Sequence, residues 1–417
     1  MAGANVSENR LKREEQFQKD VKNPRNTPVV QSGATVEKAA PQYDFEKKNE
    51  ADVRREPERK TKIAVLGPFT GELDFYGKDA SDGAEMASDE INDRGGIKKQ
   101  KYDLLVYDTK GSMDGARAGV KKFIDEKVAA IVGAATGEVS FSATKTLNDN
   151  QLILVSAGSR RRLGDSGPYN FRVTLDDNHG IKRLVEYVVK EKKWRNFALF
   201  TSLVNDFSIK LTAAFKGEIE KQKANVAQEL YLWSAQMSNM QKEETSIPAQ
   251  ISKLKTNTPD ALIYTGDGKE GAELVSEMRK QGINIPVIGC EDLMVPEFVS
   301  LGKAAEGTVV YGGFNVNSSD PRVRKFVADY KKRYNRPPTR LSALAYDAYY
   351  MVAEAIEKAP SLRPTHLRDS LMAIKDFHGV TGVITVGPNR EAVKEPFIFE
   401  FAKKDSKYDF YSTREPL

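Results

Sequence analysis

Short runs of Val, Ile and Leu punctuate this chain from Thr61 onward, each too brief for a helix and too uniformly apolar for a half-exposed strand. They fall at Ile63–Leu66, Leu104–Tyr107, Ala129–Val132, Leu152–Val155, Phe197–Phe200, Leu262–Tyr264, Val287–Gly289 and Val309–Tyr311. A strand that is apolar on both faces must be covered on both, which calls for helices above and below the sheet. The intervening segments have the right period. Ala80, Ala84, Ala87 and Ile91 step by four, three and four along one helix face. Phe326, Tyr330 and Tyr334 repeat the pattern, and after Pro337-Pro338 so do Leu344, Met351 and Ala355. The fold class is therefore α/β with mostly parallel sheets. Eight or more strand–helix units exceed one compact sheet, and 417 residues is length enough for two or three domains, so two doubly wound lobes are expected.

Residues 1–60 are of another kind. Thirteen Lys/Arg and eleven Asp/Glu stand among sparse, aperiodic apolar residues, with Asn23-Pro24 and Thr27-Pro28 interrupting the one stretch of helical character. Such a segment buries too little apolar area to offset its ordering entropy, and we expect a disordered tail or tether. Met1 to Arg10 has no apolar core of a secretory signal, so the literal expectation is cytoplasmic; the alternative is a chain lacking its signal or lipid-anchor segment.

Composition narrows the chemistry. No apolar run approaches the ~18–20 residues of a membrane span. A net charge of +5 is weak and dispersed, which argues against nucleic acid as partner. The one cysteine, Cys290, forms no intrachain disulfide, and with His179, His366 and His378 far apart no metal site is expected.

In doubly wound sheets ligands bind beyond the carboxyl ends of the strands, so the strand-to-helix loops carry function. Here these are Gly67–Gly77, Gly133–Glu138, Ser156–Arg162, Thr201–Phe207, Thr265–Gly271 and Gly289–Leu293. One contains Gly266-Asp-Gly268-Lys-Glu-Gly271 between an apolar run and a helical segment, the dinucleotide fingerprint, with Glu291 placed to hold a ribose hydroxyl. Against an NAD-dependent dehydrogenase stand the bulky charges of Lys269 and Glu270 where a pyrophosphate needs room. The other reading is a glycine-lined turn.

Taken together the loops resemble a known family. Lys62–Gly71 (KIAVLGPFTG), Tyr76-Gly77, Gly83-Ala84 and Glu90–Ile97 (EINDRGGI) are similar to the opening of branched-chain amino-acid (Leu/Ile/Val) binding proteins, the type I periplasmic solute-binding subunits of ABC importers. Val128–Gly133, Leu154–Ala157, Phe171-Arg172 with Asp177, Ile288-Gly289, Ala305–Gly307, Asp320-Pro321, Phe326–Tyr334 with Pro337-Pro338, and Ala345–Ala348 follow in order. The resemblance spans about 61–401. It implies two α/β lobes joined by three crossovers, roughly 61–175 with 313–378 and 176–312 with 379–414. Ligand would be trapped by hinge closure in the cleft between them, with no catalysis and no cofactor.

It also implies a site. The loops matching Ala135-Thr136-Gly137 and Ala157-Gly158-Ser159 would hold an α-carboxylate through hydroxyls and backbone N–H groups, as helix N-termini favour an anion. Gly137 stands where a hydroxyl is commoner. Glu291 matches the carboxylate that pairs with the ligand ammonium. Tyr76, Phe207 and Asp267 fall at cleft-lining positions, the last two where tyrosines are usual, and Asp267 would add a second carboxylate on the ammonium side. Arg160-Arg161-Arg162 would either reach a further acidic group or form a solvated patch. The resemblance points to a small-molecule ligand, an amino acid or analogue (amides, ureas and aromatic acids stay open). It also implies ABC permease partners and a periplasmic or membrane-tethered location, with the N-terminal segment as tether. A ligand-sensing regulatory protein on the same fold is the alternative.

Overall fold

In the computed structural model of the chain, residues 61–71, 73–133, 137–203, 206–232 and 246–414 are described; the charged segment 1–60 lies outside them, and with it the expectation of a disordered tail. The alternation read from the sequence is present. It begins β1 (Thr61–Gly67), α1 (Asp74–Asp93), β2 (Tyr102–Asp108), α2 (Met113–Asp125), β3 (Ala130–Gly133), α3 (Gly137–Asp149), β4 (Ile153–Ser156), β5 (Asn170–Arg172) and α4 (Asp177–Lys190). It continues with β6 (Asn196–Ser202), α5 (Asp206–Lys221), β7 (Asn225–Leu232), β8 (Ala261–Tyr264), α6 (Gly268–Lys280), β9 (Val287–Cys290) and β10 (Val309–Gly312). Helices α7 (Pro321–Tyr334), α8 (Arg340–Lys358) and α9 (Pro364–Met372) follow. The chain then turns to strands: β11 (Phe377–Gly379), β12 (Gly382–Val386), β13 (Ala392–Val393), β14 (Phe397–Lys404) and β15 (Lys407–Arg414).

One sheet has the order β2-β1-β3-β4-β5, a second β15-β14-β10-β9-β8-β6-β7, and a third β11-β12-β13. In the first, β1 pairs in parallel on both sides, Ile63 opposite Leu104 in β2 and Ala130 in β3. In the second, β6 pairs in parallel with β7 and β8, and β8 with β9. Two compact units result. The first comprises 61–184, Val310–Glu400 and 410–414, the second Val185–Val309 and Phe401–Asp409. The division differs from the boundaries expected above at 176–184, 310–312, 379–400 and 410–414. The stretch 379–400 stays with the first unit because β11 and β12 pair with each other, Asp347 of α8 takes the N–H groups of Val380 and Thr381, and Glu391 pairs with Arg172 of β5.

Side-chain alternation along β1 shows why the first unit is doubly wound. Ile63 and Val65 face a core shared with Ala80, Ala84, Ala87 and Ile91 of α1 and with Leu344 and Met351 of α8. Ala64 and Leu66 face the opposite core, with Val120 and Phe123 of α2 and Ala143 and Leu147 of α3. Every strand residue is used, so the run has no polar position. In the second unit β6, β8 and β9 are buried likewise, under Leu211, Phe215 and Ile219 of α5 and Leu274, Val275 and Met278 of α6.

Helices α1 and α8 touch backbone to backbone at Gly83, where an added Cβ would lie 2.0 Å from the Ser342 carbonyl oxygen. Gly83→Ala is therefore expected to lower stability by about 1–3 kcal/mol, the usual cost of overpacking a rigid contact. The thermal midpoint measured by circular dichroism checks it.

Candidate functional site

The candidate residues stand at the carboxyl ends of strands in both units. In the first unit β1 leads through Gly67-Pro68 to α1, whose first turn carries Tyr76. Gly77 packs so tightly that a Cβ there would meet the Pro68 carbonyl oxygen at 1.8 Å, and this contact fixes where the half-exposed Tyr76 stands. Its ring lies 4.0 Å, centroid to centroid, from that of the exposed Phe75. Asp108, at the end of β2, braces the same loop by accepting from the Phe69 N–H at 2.7 Å and the Thr70 hydroxyl at 2.6 Å. Desolvation works to raise its carboxyl, but these bonds and that from the Lys110 N–H hold it below the ordinary value.

Thr136 lies outside the described residues. Gly137 opens α3 and meets the second expected loop directly. An added Cβ would stand 3.0 Å from the Arg161 Cβ and 3.4 Å from the Ser159 Oγ. Ala157 and Ser159 are fully buried. The Ser159 hydroxyl donates to the Arg161 carbonyl at 2.7 Å, while its N–H donates to the Ser156 Oγ at 3.3 Å. Its proton is thus committed inside the loop, and the hydroxyl must turn to donate elsewhere. Over its first two members the arginine run makes contacts within the unit. Arg160 Nη1 is 3.2 Å from Asp177 Oδ1, which also accepts from the Tyr311 hydroxyl, and the Arg161 guanidinium lies 3.5 Å over the Phe141 ring.

In the second unit Phe207, half-buried, sits in the first turn of α5. Beneath it a buried chain of hydroxyls ties strand ends to helix: Thr201 to Thr212 at 2.9 Å, Thr212 to Thr265 at 2.8 Å, and Thr265 to Ser208 at 2.7 Å. Ser208 Oγ also accepts from the Ser202 N–H at 2.9 Å. Asp267 is exposed and caps α6, accepting from the Glu270 N–H at 2.9 Å. Glu291, half-exposed, follows β9 directly, and the Met294 N–H donates to its carbonyl at 3.0 Å.

The sequence reasoning missed Glu270 and Tyr264. The Tyr264 hydroxyl donates to Glu270 Oε2 and lies 3.1 Å from the Asp267 carbonyl oxygen. A buried phenol at the end of an apolar run needs a polar partner, and the acid in the next helix's first turn was the available signal. Burial pushes the Glu270 carboxyl up, against the hydroxyl donors Tyr264 and Ser202 and with further repulsion from Asp267 and Glu273. A carboxyl raised by folding binds its proton more tightly in the native state, so its cost to stability appears as pH rises through the carboxylate range. Glu270→Gln is thus expected to raise the thermal midpoint at pH 8 and leave it unchanged at pH 4, read by circular dichroism.

The glycine fingerprint has a packing explanation. A Cβ at Gly266 would meet the Tyr264 hydroxyl at 2.0 Å, at Gly268 the Asp292 carbonyl oxygen at 2.3 Å, and at Gly271 the Leu293 Cδ2 at 2.5 Å. Close packing within the protein thus accounts for each of the three glycines. Cys290 is buried beside it, its Sγ 3.4 Å from Asp292 Oδ2.

Comparison with known proteins identifies the family and the fold. The model of a family described as "Periplasmic binding protein" matches residues 60–406. The Leu/Ile/Val-binding protein BraC3 of Rhizobium johnstonii is 24% identical over 341 residues, covering 80% of this chain and 89% of that relative. Among solved structures, the leucine binding protein LivK of Thermotoga maritima is 25% identical, with TM-score 0.70, covering 84% of this chain and 98% of that one. The branched-chain amino acid transporter substrate binding protein LivJ of Streptococcus pneumoniae, in complex with isoleucine, shares the fold at 24% identity and TM-score 0.70, covering 85% and 100%.

Proposed function

This chain belongs to the periplasmic binding protein family, and from that premise we propose that it captures an amino acid, or a close analogue carrying both charges, outside the cytoplasm and presents it to the permease of an ABC importer. What carries the reading is the contrast between the two sets of loops. In the first unit Gly137 and the Ala157–Ser159 loop lie together at the start of α3, where the helix dipole favours a carboxylate. In the second unit Glu291 ends β9, with Asp267 and Glu270 at the start of α6, and these favour an ammonium. A zwitterion meets both demands.

On this reading the ligand-bound form is what the permease recognises. Tyr76 and Phe207 line the wall, Thr136 and Ser159 assist the carboxylate, and no bond is made or broken. A tether through residues 1–60 would keep the protein near the membrane; no helix among the described residues is long and apolar enough to cross one.

The test is to unfold the purified protein, identify any released small molecule by mass spectrometry, then refold and screen it by thermal shift. A micromolar ligand at about 1 mM stabilises by roughly 4 kcal/mol. Release of, or stabilisation by, an α-amino acid supports the proposal. Stabilisation by NAD alone, or by nothing with an α-amino group, overturns it.

A further inference from the structure

The loop expected to hold the ligand carboxylate is itself held from far away in the chain. Arg172, in β5, and Glu391, in the turn before β13, are both buried and form an ion pair through Arg172 Nε and Glu391 Oε2, with side chains 1% and 5% exposed. Neither carboxylate oxygen is idle. Glu391 Oε1 accepts from the Leu163 and Gly164 N–H groups, each at 2.9 Å. Arg172 Nη1 donates to the Ser159 carbonyl at 3.2 Å, inside the loop, and lies 3.4 Å from the Leu175 carbonyl oxygen. Arg390, next in the turn, donates from Nη2 to the Gly164 carbonyl at 2.6 Å, and its own carbonyl accepts from the Arg172 N–H at 3.1 Å. Gly164 is pressed so close that an added Cβ would lie 1.6 Å from the Asn389 carbonyl oxygen.

These contacts bracket the loop. Its first part is gripped at the Ser159 carbonyl and its far end at both faces of the Gly164 peptide unit. A buried charge pair of this kind contributes little net stability against an apolar replacement, but it fixes geometry, since each partner is costly to leave alone. The 157–159 loop can favour an anion only while it keeps its course, and displacement by a fraction of an ångström weakens a preorganised site.

We infer that the turn Asn389–Glu391 and Arg172 act as a clasp that sets the conformation of the 157–164 loop, making Glu391 a positioning residue for ligand binding. The inference rests on the amino-acid reading above and names the part of the chain that tunes its affinity.

The test is Glu391→Gln in the full chain, titrated calorimetrically with L-leucine in the cold, where circular dichroism shows the variant folded. The expected result is a Kd raised about tenfold or more, with faster hydrogen exchange at Leu163 and Gly164 and unchanged exchange in β1 and β3. A merely structural pair would lower the thermal midpoint and leave Kd unmoved, so a Kd within about twofold of the parent in the folded variant overturns the inference. If that variant does not fold, Arg390→Gln removes only the donor to the Gly164 carbonyl; a Kd raised about threefold or more is expected, and no change overturns the clasp. If the parent chain takes no L-leucine, the choice of ligand fails rather than the clasp. Hydrogen exchange then decides alone, and identical rates at Leu163 and Gly164 in parent and Glu391→Gln overturn it.

Discussion

Glu291→Ala is expected to abolish ligand-induced stabilisation while leaving the unliganded protein folded. Glu291 lies at a strand end, half-exposed, and starts a short turn that its backbone holds. On the proposed reading its carboxylate pairs with a ligand ammonium that excludes water from it. Truncating one member of a desolvated, hydrogen-bonded charge pair costs about 2–5 kcal/mol, because the other charge is left buried and unpaired. That corresponds to a Kd raised by roughly 30-fold to several thousandfold. Titration of parent and variant with the same amino acid checks this, and Glu291→Gln should fall between them. Equal affinities in Glu291→Ala and parent would remove Glu291 from the site.

Asp347→Ala is expected to give the largest loss of stability. Asp347 lies in α8, 1% exposed, and its carboxylate accepts from the Val380 and Thr381 N–H groups, each at 2.8 Å, and from the Thr381 hydroxyl at 2.6 Å. The same hydroxyl oxygen accepts from Lys394 Nζ at 2.9 Å, and Lys394 is itself buried. Burial pushes the carboxyl up, while the Thr381 and Val380 donors and the Lys394 charge pull it down. Removing it strands two backbone donors and takes a buried countercharge from Lys394, a change that costs about 3–5 kcal/mol. At about 2–4 °C per kcal/mol for a chain of this size, the midpoint should fall on the order of ten degrees. Asp347→Asn keeps the shape and part of the acceptor capacity and should lose less. A fall of only a degree or two in Asp347→Ala would show that the region relaxes around the gap.

What could be read in advance followed from local pattern. Six of the eight apolar runs lie wholly inside strands, and Ala129–Val132 and Leu152–Val155 each begin one residue before theirs, because a strand covered on both faces has no polar position to blur it. Ala80, Ala84, Ala87 and Ile91 are buried together on α1, as their spacing requires. The short strand β5 escaped notice because it reads Asn-Phe-Arg, and Arg172 becomes a core residue only through Glu391, more than two hundred positions on. β7 escaped because it is half-exposed at a sheet edge. At Gly137, Ala157, Ser159 and Glu291 the candidate site rests on the family resemblance, which named those positions. The supports of the site carry no such signal: Thr201, Thr212, Thr265 and Ser208 look like ordinary strand and helix residues until folding joins their hydroxyls. Gly266, Gly268 and Gly271 show the reverse case, a motif complete in sequence whose glycines accommodate Tyr264, Asp292 and Leu293.

The central claim is recognition of both charged ends of an amino acid, and the most direct measurement separates the two ends. Refolded, ligand-free protein should be heated with each common α-amino acid at about 1 mM, and with the N-acetyl derivative of whichever acts. The account predicts a large rise in midpoint with at least one amino acid and none with its N-acetyl form, which keeps the carboxylate and side chain but lacks the ammonium. No rise with any amino acid, or an equal rise with the N-acetyl form, would contradict it.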